Sequence, residues 1–265
     1  MVVGMRNSGR RRGTKLVVAV AASAVLAACA GQHGSNGGAA SGSTSSGSTS
    51  AASSSASGPR TSPLTKGLLS ASDFGQANVV SMTLQQFKQA TAGQLGQASG
   101  LQVTPPQCAT ALQSTQPDVD QVKDAVAESA TQQGTATIEA ILSGSSVDGT
   151  ADKLKAAMSS CPKIDISSPQ LGTATLTFTP LDVSSVSDQA AGAQYTLTIT
   201  PPNHAPVTLP ALIAVAQDKD RLVLLTTVAA NDVNANGGPP PATPDTNAFT
   251  TLFGKAYSAE KKALD

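Results

Sequence analysis

Tryptophan is absent, and the 265 residues hold only five Phe and two Tyr. A core built on stacked aromatics is thereby excluded, and Val, Leu, Ile and Ala must fill it. Histidine occurs twice, at His33 and His204, too few for a multi-histidine metal centre. The apolar run from Leu16 to Ala28 has thirteen residues, whereas a helix that crosses a bilayer needs about 20. No excess of positive charge is present either, since 17 Lys and Arg face 17 Asp and Glu.

That zero hides an asymmetry. Arg6, Arg10, Arg11, Arg12 and Lys15 all fall in the first 29 residues, which contain no acid. The remainder carries 12 basic against 17 acidic residues, a net charge of −5. A mildly acidic protein lacks the basic stripe that nucleic acid requires, so no nucleic-acid partner is expected.

A basic stretch followed by a short apolar run is the layout of a secretory signal. Met5, directly before the basic stretch, is an alternative start to Met1. The run ends in Leu26-Ala27-Ala28-Cys29, an aliphatic residue, two small ones and a cysteine. This order resembles the bacterial lipoprotein signal. The resemblance implies a diacylglyceryl thioether on Cys29 and cleavage between Ala28 and Cys29. Residues 1–28 are then the signal peptide, and the product sits on the extracytoplasmic face of the cell membrane through its lipid. An acyl anchor holds because each buried CH₂ contributes roughly 0.8 kcal/mol. The other reading is an ordinary signal peptide with a cysteine there by chance.

From Ala30 to Pro63 the chain is nearly all Ser, Gly, Ala and Thr. Such a segment buries too little apolar surface to offset its ordering entropy. Residues 29–63 therefore read as lipidated cysteine plus flexible tether, with a reach of about 5–6 Å × √n. His33 lies in this tether. Residues 64–265 remain as a single domain.

Within it, Ser70 and Asp73 have capping-box spacing ahead of a short helix. Leu84 and Phe87 give weak helical spacing over residues 84–92. Pro105-Pro106-Gln107-Cys108 reads as a turn. Val119, Val122 and Val126 repeat at three and four, which predicts a helix from Asp118 to Thr131. A helix opening at Asp148 or Thr150 should stop at Cys161-Pro162. Residues 173–179 and 194–200 alternate Thr with apolar residues, the period of half-buried strands. Residues 207–215 and 222–228 are continuously apolar and suit strands covered on both faces. Asp218-Lys219-Asp220 should form the hairpin between them, with Pro210 at an edge or bulge. Residues 135–142 offer one more strand. Gly237 to Pro241 is a loop, and Asp245 to Leu264 carries the apolar stripe Phe249, Leu252, Phe253, Ala256 and Tyr257 of a terminal helix. The expected fold is α+β: an antiparallel sheet of about four to five strands packed with helices, the C-terminal amphipathic one included.

With Cys29 lipidated, Cys108 and Cys161 are an even pair in an oxidising compartment, and a disulfide between them is expected. Two buried thiols or a metal pair are the alternatives. The search for chemistry returns little. His204 has no Gly-x-Ser-x-Gly elbow to serve. Ser160-x-x-Lys163 and Ser258-x-x-Lys261 lack the companion motifs of penicillin-binding enzymes. Asp118 with Asp120, and Asp218 with Asp220, sit where turns and helix starts favour Asp. No catalytic residue, metal site or cofactor is expected, and no ligand-binding residue is named.

Leu68-Leu69-Ser70, the Pro105 to Cys108 segment, a helix ending in Cys161-Pro162, the apolar Leu222-Val223-Leu224-Leu225 and the terminal helix form a recognisable order. It resembles mycobacterial cell-envelope lipoproteins and the PknH-type extracellular sensor domain family. That resemblance implies an α+β fold around an antiparallel sheet, disulfides and a ligand-binding cleft. One departure is plain: the family's kinase domain carries two disulfides, and this chain offers one. The expectation is a non-catalytic, sensor-like domain that binds a small or lipidic ligand. The alternative is a lipoprotein that docks on an envelope protein.

Overall fold

The computed structural model describes residues 62–75, 77–83, 85–86, 101–115, 117–118, 121–132, 134–168, 172–202, 205–229 and 243–265. Nine strands form one antiparallel sheet: β1 (Asn78–Thr83), β2 (Gln102–Thr104), β3 (Asp124–Gln132), β4 (Thr135–Ser143), β5 (Lys163–Ser168), β6 (Gly172–Leu181), β7 (Ala190–Thr200), β8 (Val207–Asp218) and β9 (Arg221–Ala229). Their order is β1-β3-β4-β9-β8-β7-β6-β5-β2. Three α-helices accompany them: α1 (Pro106–Ser114), α2 (Thr150–Ser160) and α3 (Thr246–Leu264). The class matches the α+β expectation, but the sheet has nine strands rather than four or five.

Strands β5 to β9 run as a meander, and β9 closes the sheet by pairing with β4. Both β8 and β9 therefore have a strand on each side and a helical layer on each face. Side chains alternate across a strand. Accordingly Val223 and Leu225 pack with Phe249 and Phe253 of α3, whereas Leu222 and Leu224 pack with Leu154 and Met158 of α2. This is why their sequences are continuously apolar. Pro210 lies within β8, one residue beyond the last β8–β9 pair, Ala211 with Val228. On that side it has no partner strand, which is how a residue without an N–H fits a central strand.

One face carries α3 and two 3₁₀ turns, Pro63–Gly67 and Ala71–Phe74. Together these turns make a strap across the sheet. Leu64, Leu69 and Phe74 are its buried anchors. The Ser70–Asp73 capping box is formed at the second turn. Asp245 caps α3 by accepting from the backbone N–H groups of Asn247 and Ala248 at 2.8 and 2.9 Å. The other face carries α1 and α2, and α2 packs on β6, β7 and β8.

Three local expectations fail. Residues 124–132 are strand β3, not helix. The valine spacing suits a helix, but Ala125, Val126, Ala127 and Ala130 are buried on both faces of a strand between β1 and β4. Tertiary pairing there overrides the weak helical period. Pro105-Pro106 does not make a free-standing turn; Pro106 is the first residue of α1, where its missing N–H costs nothing. Strands β1, β2 and β5 were not expected, although Ile164 and Ile166 of β5 do alternate with polar residues. The helix expected over residues 84–92 lies outside the described residues apart from the helical Gln85 and Gln86, and the loop from Gly237 to Pro241 lies wholly outside them. Among the described residues, no helix is long and apolar enough to cross a membrane.

Candidate functional site

Helix α1 presents Ala111, Leu112 and Thr115 toward α2, which presents Leu154, Ala157 and Met158 in return. The Cys108–Cys161 disulfide joins the first turn of α1 to the residue that ends α2, with Cα atoms 5.7 Å apart. Both cysteines are buried. The two helices are thus tied at one end. Beneath them, against Leu176, Phe178, Tyr195 and Ile213 of the sheet, lies a cavity of about 90 Å³. That volume exceeds the roughly 30 Å³ that one water occupies and falls below the roughly 150 Å³ known to admit benzene. Its lining is almost wholly apolar, so water in it would go under-bonded.

Two aromatic rings lie side by side in this floor. Phe178 and Tyr195 are directly opposite on β6 and β7, with ring centroids 6.2 Å apart and tilted 46°. The Tyr195 side chain is 2 % exposed. Its hydroxyl has no hydrogen-bond partner of good geometry among the described residues. Burial pushes the phenol up to about 12, and the neighbouring Thr226 hydroxyl offsets only part of that rise. Thr226 gives its own proton to the Leu212 carbonyl at 2.9 Å. The phenol is therefore neutral near pH 7 and free to donate or accept one hydrogen bond. The Thr115 hydroxyl is spent on the Leu112 carbonyl at 2.8 Å. Such a site can hold apolar matter and orient it by one polar contact.

The opposite face has different chemistry. An open groove of about 430 Å³ runs between the second 3₁₀ turn, β3, β4 and α3, with Asp73, Phe74, Gln132, Thr137 and Lys255 on its walls. Lys255 pairs with Asp73 at 3.6 Å. Two residue pairs further along the β3–β4 ladder from Ala130 and Thr137, Glu128 stands directly opposite Glu139. They are 5 % and 0 % exposed. Burial is the main force raising both carboxyls, and Glu139 reaches about 8, with Glu128 and Asp73 adding to its rise. At the far end of this face, Arg221 bonds Glu260, and reaches Asp218 and Asp265 at 2.7 Å each.

Of the residues singled out from sequence, only Cys108 and Cys161 are brought together. Cys29, Ala28, His33, Asp120 and His204 lie outside the described residues. Ser160 donates to the Ala156 carbonyl and Ser258 to that of Gly254, so both hydroxyls serve their own helices. Asp218 belongs to Arg221. Among the described residues, no group of three or more His, Cys, Asp or Glu is placed to hold a metal ion. The sequence reading missed Tyr195 as a floor residue, the Glu128–Glu139 pair and the Arg221 cluster. The pair had a signal: Glu128 lies four residues before the end of β3 and Glu139 four residues after the start of β4, which aligns them once both are paired strands.

No protein-family profile matches this chain, and no curated protein sequence is similar to it. Solved structures are. The extracellular domain of PknH from Mycobacterium tuberculosis is similar with a TM-score of 0.47 and 10 % identity, covering 75 % of this chain and 94 % of that one. An uncharacterised Mycobacterium smegmatis protein, the Rv0999 ortholog, is similar with a TM-score of 0.44 and 16 % identity, covering 61 % of this chain and 76 % of its own.

Proposed function

We propose that this chain is a cell-envelope lipoprotein, anchored on the extracytoplasmic face through lipid on Cys29, whose domain binds a small apolar or lipidic ligand without transforming it. The observation that carries the binding is the apolar-lined cavity beneath α1 and α2 with one buried phenol, Tyr195, whose hydroxyl has no partner of good geometry among the described residues. Ligand pockets combine apolar walls with a few placed polar groups. Among the residues that line it, none exchanges a proton near pH 7, which favours holding over catalysis. The location is supported by the export signal ending at Cys29 and by a disulfide of the kind that oxidising compartments permit.

The cavity must grow to take an acyl chain. Helix α1 is the element able to give way, since it is only nine residues long and tied to α2 at its first turn. The test is calorimetric titration of the full-length protein with saturated fatty acids of graded length, beside native mass spectrometry of protein purified from its own membranes. Saturable binding that Ala157→Phe abolishes and Tyr195→Phe weakens is the expected result. A clean apo mass with no heat for any chain length would overturn the reading. A second reading, docking on an envelope protein, has one observation in its favour. Val80, 54 % exposed, is the large apolar side chain left open among the described residues, on an edge strand without a charged residue. A co-purifying protein lost on Val80→Lys would favour it.

A further inference from the structure

We propose that Glu128 and Glu139 share one proton that latches the strap of residues 64–74 onto the sheet, and that losing it loosens the strap. The geometry carries this. Directly opposed residues on antiparallel strands have Cβ atoms about 4.5–5.5 Å apart, and like charges there repel. Here both side chains are buried, so solvent cannot screen the repulsion. A single donor reaches the pair from the strap: the Leu69 backbone N–H, 3.0 Å from Glu139 Oε2. Oε1 of each carboxyl has no partner among the described residues. Two charges served by one neutral donor cannot both persist there, whereas a carboxyl bonded to a carboxylate can.

The charged groups around the pair do not change that balance. From the second turn of the strap comes Asp73, an acid held low by the Ser70 hydroxyl, which adds repulsion. From α3 comes Lys255, occupied by Asp73, and Glu260, occupied by Arg221. Lys66 of the first turn is exposed. On the flanking strands the register neighbours are Ser81 and Leu225, neither of which titrates.

The sign follows. Glu139 is raised to about 8 in the folded protein, chiefly by burial. The closed strap keeps this proton up to about that value, whereas opening exposes the carboxyl, which then ionises near its ordinary 4.5, so the latch weakens between those two values and no further above about 8. On ionisation the proton goes to solvent base and leaves two carboxylates under Leu69. The strap is the part able to leave. It crosses the sheet on three anchors and is held tightly at Gly67, where a Cβ would come within 3.0 Å of both Ile141 Cδ1 and Leu264 Cδ1. Strands β3 and β4 cannot separate so readily, since each is paired on both sides.

Hydrogen exchange of the full-length protein, read by mass spectrometry from about pH 6 to 9.5 and corrected for intrinsic exchange, tests this. Strap peptides should lose protection about tenfold per pH unit from about pH 6 to about 8, the slope of one linked proton, and level off above it. Peptides of α2 should show no such break. Glu139→Gln can still accept from Leu69 and cannot ionise, so its strap should stay protected throughout. Glu128→Gln removes a neighbour that raises Glu139 and should move the break to lower pH than wild type. A flat wild-type profile, or a break that survives unmoved in either variant, overturns the proposal.

Discussion

Replacing Arg221 by Met should cost far more at neutral pH than in acid. Arg221 opens β9 and its side chain is 11 % exposed, while Glu260 on α3 is wholly buried. Desolvation raises the Glu260 carboxyl, and Arg221 supplies the main opposing pull. Removing one member of a buried ion pair costs about 3–5 kcal/mol, because the other charge is left uncompensated. For a domain of this size each kcal/mol moves Tm by about 2–4 °C. Arg221→Met should therefore lower Tm by about 6–20 °C at pH 7.5. Without Arg221 the folded-state pKa of Glu260 rises further above its unfolded value, so the native state holds the extra proton. Stability of the variant then falls as pH climbs from the unfolded value, about 4.3, toward the raised one. At pH 4.5 the deficit should shrink to a minor fraction. Calorimetric melts of wild type, Arg221→Met, Glu260→Leu and the double variant at both pH values give the answer. The double variant should recover most of the loss, since apolar replacement of both partners is often neutral. Equal deficits at pH 4.5 and 7.5, or a double variant as poor as the sum of the singles, would refute the assignment of α3 docking to this pair.

Two further outcomes follow from the same physics. Breaking the disulfide with Cys108→Ala and Cys161→Ala should cost about 4 kcal/mol, from a sequence separation of 53, and exchange protection should fall in α1 before the sheet. Asp245→Ala removes the acceptor for two N–H groups of α3 and should cost about 1 kcal/mol in a urea titration, with an unchanged m-value.

Legibility in the sequence followed the environment of each element. Strands β6 and β7 expose Thr on one face and bury Leu176, Tyr195 and Leu197 on the other, so period two survives in the text. Strands β8 and β9 are covered twice and read as apolar runs. Strand β3 is also covered twice, but with alanines and one glutamate, and these have no strand signature of their own. Its identity comes from β1 and β4 beside it, which are tertiary facts. Two of the three missed strands have plain reasons: β2 has three residues, and β1 leaves Val80 exposed. The cleft was foreseen only as a place between sheet and helices. Its lining is drawn from α1, α2 and five strands, and no local spacing links Leu112 to Tyr195 or Ile213.

The sheet holds these two systems apart. Glu139 of the latch faces Leu225 across the β4–β9 ladder, while Leu224, the next residue, turns the other way and lines the cleft. One backbone separates them, yet that backbone is bonded to strands on both sides and shifts little when a side chain on one face changes charge. Coupling between distant groups requires an element with two arrangements that both groups bias. The strap is such an element for the glutamates, and α1 is such an element for the cavity. They lie on opposite faces and touch different helices, α3 for the strap and α2 for α1. The cleft, on the other face of the sheet, should therefore keep its shape when the strap loosens.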